Sequence, residues 1–509
     1  MDARPTSNTC RMAVVLGALL PLVAAGCTAA PVDVGTAVTA KEVRTGTGAV
    51  CDKQPPGPET APAGAVAIDP ATSGDLSVKT KASPPGTTFW LAPGTHRLGD
   101  AQYDQVEPKN GDVFIGAPGA ILDGQKINMY AFTGEASDVA IRYLTVQSFV
   151  PPQDQGVVNH DSGDGWVLEH NTFQRNSGAA LMAGARQQVR ANCLRANGQY
   201  GMNAYNASNT ITGLVLEGNE IVGNNTDDWE AKTEGCGCTG GVKFWAVNGA
   251  DIRGNWVHDN RGVGLWADTN DNDFLIEGNL IENNDDSAII YEASYNAVIR
   301  DNTIRRNNWV AGKKFADRGD NFPVATIYLS EAGGEPRVKA RTDKIDVYGN
   351  VLENNWSGIT LWENADRFCN SPANTSSDTC TMLVPDKSQC ARPAIAAEPL
   401  LSDCRWKTQR VDIHDNRFAL DPGSMGCRSM CGRMAILSNF GTYPEWSPYK
   451  GKVVQNAITS AQHNQWHANV YTGPWTFMPH DTGISIDPDH WQEEPYQQDK
   501  GSTFALKGG

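Results

Sequence analysis

An asparagine returns at a near-constant interval through the middle of this chain, each time just ahead of a short apolar stretch. The steps are His170-Asn171, Ala191-Asn192, Gly218-Asn219, Gly254-Asn255, Gly278-Asn279, Asp301-Asn302, Gly349-Asn350 and Asp415-Asn416. Asn255, Asn279 and Asn302, the best spaced, lie 24 (279 − 255) and 23 (302 − 279) residues apart. A unit that short cannot bury a core alone, so it must stack on its neighbours as a solenoid. Between the steps, apolar and polar residues alternate with period two, which selects strands over helical hairpins and predicts one turn of a parallel β-helix per repeat. Asparagine tolerates the left-handed backbone of a tight corner, and stacked asparagines can hydrogen-bond along the axis as a ladder.

A solenoid lengthens without adding domains, so 509 residues do not by themselves require several. Larger gaps between steps mark insertions: Thr226–Thr239, the basic stretch Lys313–Arg318, and a cysteine-rich excursion between Asn350 and Asn416. Insertions this long usually carry function, here as the walls of a groove. With 58 Asp+Glu against 42 Lys+Arg, the net charge is −16. That argues against nucleic acid and anionic membrane surfaces as partners and suits cations and neutral glycans.

Arg4 and Arg11 precede an apolar run from Met12 to Ala25, the form of an export signal over residues 1–26. Its end, Leu22-Val23-Ala24-Ala25-Gly26-Cys27, resembles the bacterial lipobox, with Ala24 where that pattern more often has Leu. The resemblance implies lipidation at Cys27 and an extracytoplasmic protein anchored to the bacterial cell membrane through that lipid only. Residues 27–85, rich in Ala, Pro, Gly and Thr, read as a flexible tether, 86–480 as the solenoid, and 481–509 as a tail packing on it. Of 12 cysteines, setting aside Cys10 and Cys27 leaves ten, an even number suited to disulfides. Six of these crowd residues 369–431. Cys236-Gly-Cys238 and Cys427…Cys431 lack the companion ligands of a zinc site.

The stretch Gly240–Asn307 resembles the right-handed parallel β-helix superfamily of pectate lyases, polygalacturonases and alginate epimerases, and more closely the bacterial secreted β-helix repeat proteins of unassigned activity. The resemblance implies an all-β, right-handed parallel β-helix solenoid with loop insertions, covering roughly residues 85–480, and a polysaccharide or other glycan as partner. The polygalacturonase Asn-Thr-Asp and Arg-Ile-Lys signatures and the epimerase Asp-Pro-His-Glu are absent. Asn284-Asp285-Asp286-Ser287 is only faintly similar to the paired aspartates of the hydrolases.

Laid over one another from their asparagines, Gly264-Leu265-Trp266-Ala267-Asp268 falls on Ala288-Ile289-Ile290-Tyr291-Glu292. If Leu265 points inward, then Trp266 and Asp268 point out, together with Lys243 and Trp245 of the rung before and Glu292 of the rung after. Ile327–Glu331 and Ile359–Glu363 continue the pattern and predict a column Asp268, Glu292, Glu331, Glu363 at the inter-strand spacing of ~4.8 Å. Like charges stacked so closely need a cation, a neighbouring lysine or a raised pKa to compensate them. Asp268, Glu292 and Glu331 are therefore candidate catalytic groups or calcium ligands, with Lys243 as base or electrostatic partner; the alternative is solvated strand ends pointing apart. Trp245, Trp266, Trp362 and Glu363 are candidate sugar-binding residues, unless the insertions cover the indoles as satellite core. His258 reads as a corner residue, Lys313, Lys314 and Arg318 as a solvated loop, and Asp271 as a turn residue. Two functions fit: a monomeric polysaccharide lyase or glycoside hydrolase, or a non-catalytic glycan-binding or adhesion module.

Overall fold

The computed structural model describes residues 49–205, 211–233, 236–374, 380–450 and 461–505. The export signal and Cys27 lie outside the described residues. What the repeats dictate is present throughout: a right-handed parallel β-helix made of three long parallel sheets of 13, 13 and 10 strands. The first sheet runs from Val66–Ile68 to Gln465–His467, the second from Gly94–Arg97 to Thr503–Ala505, and the third from Gly156–Val158 to Thr476–His480. Among the described residues no helix is long and apolar enough to cross a membrane.

The corner between the first and second sheets shows how the repeat works. Asn171, Asn192, Asn219, Asn255, Asn279, Asn302, Asn350, Asn416 and Asn469 are all buried there. From Asn192 onward each Oδ1 accepts hydrogen bonds from the backbone N–H and side-chain amide of the asparagine one rung earlier, as Asn279 does from Asn255 at 2.9 and 3.0 Å, while Asn171 accepts the Leu144 N–H. Each Nδ2 also reaches a strand carbonyl, as Asn279 reaches Ile252 at 3.0 Å. The left-handed residue is not the asparagine, as the sequence had led one to expect, but its predecessor: Gly254, Gly278, Asp301 and Gly349 have φ of 58, 63, 55 and 65°. A second ladder sits five residues on, through Asn176, Asn197, Asn224, Asn260, Asn284, Asn307 and Asn355. Buried amides with every polar atom paired fix the register of successive rungs.

Inside, alternate strand residues stack in columns. Val158, Leu181, Met202, Val242, Leu265, Ile289, Ile327 and Ile359 form one such column from the third sheet, each essentially inaccessible. The solenoid begins earlier than residue 86. Val66–Ile68 is already its first strand, and helix Asp75–Ala82 buries Leu76 and Thr80 at that end. Ahead of it, residues 50–58 lie as a strap along the outside. Cys51 is disulfide-bonded to Cys193 and its N–H donates to Glu220 at 2.8 Å. Gln54 donates to the carbonyls of Asn171 and Ala191, and the Trp90 indole to that of Pro58. At the other end Trp491, on helix Pro488–Gln492, stacks on Phe477 at 4.9 Å.

The ten cysteines within the described residues pair completely, as Cys51–Cys193, Cys236–Cys238, Cys369–Cys380, Cys390–Cys404 and Cys427–Cys431. Three of the bridges lie within the insertions and Cys427–Cys431 in the loop between strands Arg417–Ala419 and Arg433–Asn439, where irregular backbone has no ladder to hold it.

Candidate functional site on the third sheet

Outward positions of the third sheet form two neighbouring columns. One runs Asn203, Lys243, Trp266, Ile290, Tyr328, Thr360 in direct register. In the other, Asp268 follows Ala267, the partner of Tyr291, and so stands beside Glu292; Glu292 then pairs with Ser330, and Ser330 with Trp362. The expected four-carboxylate column is thus corrected after its second member. Glu331 and Glu363 lie one residue further on: Glu331 just past the end of its strand with a left-handed φ of 45°, and Glu363 still within strand Ile359–Asn364, paired with Ser438.

The turn nevertheless brings Glu331 back to the group. Arg367, from the start of the cysteine-rich insertion, places Nη1 on Glu292 and 3.7 Å from Glu331. Lys243 Nζ lies 3.2 Å from Asp268 and 4.2 Å over the Trp266 ring. The Trp266 indole N–H donates to Glu292 at 3.0 Å. Ser330 Oγ donates to one Glu331 oxygen, and the Asn364 N–H donates to the other at 3.2 Å. Asp268, Glu292, Glu331, Lys243 and Arg367 therefore form one cluster, with side chains 10, 16, 2, 13 and 11% exposed. Glu363 is excluded from it: fully buried, it pairs with Arg405 and accepts the Thr408 N–H at 2.8 Å.

Burial governs the protonation of this cluster. It pushes Glu331 up to about 7, with the Arg367 charge opposing and the Glu292 charge adding. It also raises Glu292, against Arg367 and with the help of Asp268. Tyr328, between them, is held well above its ordinary value by burial and by Glu331. Asp271, expected at a solvated turn, is fully buried behind Asp268; it accepts the Val247 N–H at 2.8 Å and is raised well above the usual carboxylate range by burial.

Calcium suits this donor set poorly. It takes six to eight oxygens at about 2.3–2.6 Å, whereas here Lys243 and Arg367 already supply the compensating charge to Asp268 and Glu292. Among the described residues, the two groups that bring three donor atoms within 4.8 Å of one another lie elsewhere.

Beside the cluster opens a cleft of about 560 Å³, floored by Trp266 and Ile290. One wall is the insertion around Glu230 and Gly237. The other is helix Trp309–Asp317, which contributes Val310, Lys314 and Phe315. Asp285 and Asp286 line it too, both raised by burial. Trp266 belongs to both cleft and cluster and joins them. Trp245 and Trp362 do not line this cleft. Trp245 meets Tyr205 edge-on at 6.4 Å, and Trp362 is covered by Phe322 and packs with Leu437 and Met478. Lys314 and Arg318, expected to be merely solvated, also line the cleft. His258 is on the second sheet, buried against Trp256 and paired with Glu220 and Asp259.

Arg367, Tyr328 and the cleft position of Asp285 and Asp286 escaped the sequence argument. The aspartates were singled out in Asn284-Asp285-Asp286-Ser287, and their place just ahead of strand Ile289–Glu292 could also have put them at the cleft. Arg367 carried no signal, because it sits in an insertion where no repeat fixes direction.

The family model described as the right handed beta helix region matches residues 155–374. No curated protein sequence matches the chain. Among solved structures, the A-module of an Azotobacter vinelandii mannuronan C-5 epimerase is 10% identical, with 88% of this chain and 97% of that one covered and a TM-score of 0.44. The catalytic unit of a thermostable α-1,3-glucanase from Streptomyces thermodiastaticus is 14% identical over 60% of this chain and 66% of that one, with a TM-score of 0.36. A surface adhesin of Streptococcus pneumoniae is 8% identical over 85% and 86%, with a TM-score of 0.37.

Proposed function

We propose that this solenoid is a polysaccharide-active enzyme that cleaves a glycan seated in the Trp266 cleft. The convergence of three carboxylates from successive rungs, Glu292 and Glu331 on Arg367 and Asp268 on Lys243, beside an indole that floors an open cleft, carries the proposal. Two of the three are held toward the protonated form by burial. Glycosidic bond cleavage asks for that division: a carboxylic acid to protonate the leaving oxygen and an ionised carboxylate to attack or to activate water. Glu292, the most exposed of the three, is assigned as the acid. Asp268, ion-paired to Lys243, is the carboxylate. Adjacent rungs put them at roughly the ~5 Å of a retaining pair. Glu331, behind them, is a positioning residue: it competes with Glu292 for Arg367 and so keeps Glu292 protonated. In a lyase the same cluster would hold the substrate carboxylate on Arg367, take up the C5 proton on the ionised Asp268 and give the Glu292 proton to the leaving oxygen as its bond to C4 breaks. We further propose export and anchoring through Cys27, which five disulfides support, because such bonds persist in oxidising compartments.

The low exposure of the cluster favours a second reading, a non-catalytic glycan-binding module in which the ions are structural. Incubating the purified protein with a panel of neutral and acidic glycans separates the readings. New reducing ends alone mean hydrolysis, and reducing ends with unsaturated-uronide absorbance mean elimination. Saturable binding with neither product would overturn the enzymatic proposal.

A further inference from the structure

Helix Trp309–Asp317 walls two cavities. Ala311, Phe315 and Arg318, just past its end, face the Trp266 cleft, whereas Trp309, Lys313 and Asp317 face a second cavity of about 920 Å³, bounded opposite by residues 425–429. Val310 and Lys314 line both, so the helix stands between the two. Its seat is close-fitting: Gly312 is buried against Trp356, where a Cβ would run into the indole. The Trp309 N–H donates to the Asn354 carbonyl at 2.8 Å. The opposite wall is fastened to the same rung, because the Trp356 indole donates to the Met430 carbonyl at 3.0 Å, the Gly432 N–H donates to the Trp356 carbonyl at 2.8 Å, and Cys427–Cys431 closes the loop.

Charge distinguishes this cavity from the rest of the molecule. Its lining carries Lys313, Lys314 and Arg428 against one acid, Asp317, in a chain whose net charge is −16. Lys313 takes that acid at 2.8 Å. Among the described residues neither Lys314 nor Arg428 has an ion-pair partner. The arginines of the cleft differ: Arg261 pairs with Asp228 and Arg318 with Asp320. Lys314 also acts at longer range on Asp285 and Asp286 of the cleft, whereas Arg428 lines the second cavity and not the cleft. Two cations without partners on a preformed wall, next to the Trp309 ring, suit a ligand that carries both an oxyanion and the apolar face of a sugar. The volume lies within the roughly 300–1,000 Å³ common to ligand pockets.

We propose that this cavity is a second glycan-binding site, in which Lys314 and Arg428 hold the carboxylate or sulfate groups of an acidic polysaccharide whose neighbouring stretch occupies the Trp266 cleft. The inference rests on the glycan reading of that cleft and narrows it to acidic polymers. Lys314, on the wall common to both cavities, meets the polymer where it crosses the helix, and Arg428 meets it beyond.

The test reads binding rather than turnover. The full chain would be titrated by calorimetry at low salt with polygalacturonate and its methyl ester, with dextran sulfate and dextran, and with poly-glutamate. One charged glycan should bind more tightly than its uncharged counterpart and than poly-glutamate, and which one does so separates carboxylate from sulfate recognition. Arg428→Glu should weaken that binding about tenfold, Arg428→Lys should keep most of it, and added salt should erase the difference. Trp266→Ala should weaken charged and uncharged glycans alike, and circular dichroism would check that the variants fold. Equal binding of a charged glycan and its uncharged counterpart, equal binding of poly-glutamate, or binding unchanged by Arg428→Glu would overturn the second site; if Trp266→Ala still weakens binding, the cleft reading stands. Loss with Arg428→Glu but not with Trp266→Ala would overturn the cleft reading and keep the site, and binding of none of these polymers would overturn both.

Discussion

At the scale of single residues, the cluster around Arg367 assigns unequal roles to chemically similar groups. Glu292→Gln and Asp268→Asn keep volume but lose the proton or the charge, so each should abolish turnover of a glycan substrate while leaving the melting temperature nearly unchanged. Glu331→Gln should behave differently. With the Glu331 charge gone, Arg367 is free to engage Glu292 fully and to lower its pKa, so the alkaline limb of the pH–rate profile should move to lower pH with activity retained. The same residue makes a signed prediction for stability. Its folded pKa of about 7 lies above the ordinary value of 4.5, so its contribution is intact below pH 4.5 and is lost as pH rises through 7. Melting should therefore occur at lower temperature at pH 8 than at pH 5 by more in the unmodified protein than in Glu331→Gln. Equal pH dependence in the two proteins would show that Glu331 titrates normally.

At the scale of the element, the asparagine ladder predicts a sharp contrast between neighbours. Asn279→Ala leaves the Asn255 N–H and amide without an acceptor and the Ile252 carbonyl without a donor, inside the stack. It should cost about 1–3 kcal/mol per group left unpaired. Gly278→Ala, one residue earlier, has open space for a Cβ and meets only the strain of a left-handed φ of 63°, worth roughly 1 kcal/mol. Denaturant unfolding of the two variants would show whether burial of the amide or the shape of the corner matters more. This first ladder was legible in the sequence because glycine or aspartate precedes most of its asparagines. The second was not: Arg175, Ala196 and Arg306 precede Asn176, Asn197 and Asn307 and carry no turn signature, yet all three are left-handed. Register survived from Asp268 to Glu292 because 24 residues separate them without insertion. It failed at Glu331, where helix Trp309–Asp317 and its flanks come between, and the count from the asparagine no longer fixes which residue enters the corner. Asp271 was misread because a polar run looks like a solvated turn until the next rung covers it.

At the scale of the whole molecule, the composition of residues 27–85 announced a tether but not where it stops being one. Proline and alanine are silent about docking, and a single cysteine names no partner. The structure supplies the partner in Cys193, on the fifth strand of the second sheet. Closing a loop of that length is expected to contribute about 2–5 kcal/mol. The Cys51→Ser, Cys193→Ser double variant should therefore melt several degrees lower and be clipped by protease within residues 50–58, which the intact bridge protects. The bridge also has a mechanical meaning. Tension applied through the chain preceding Cys51 would pass through a covalent bond to the middle of the second sheet, sparing the terminal helix and first four rungs, which would otherwise peel away one at a time.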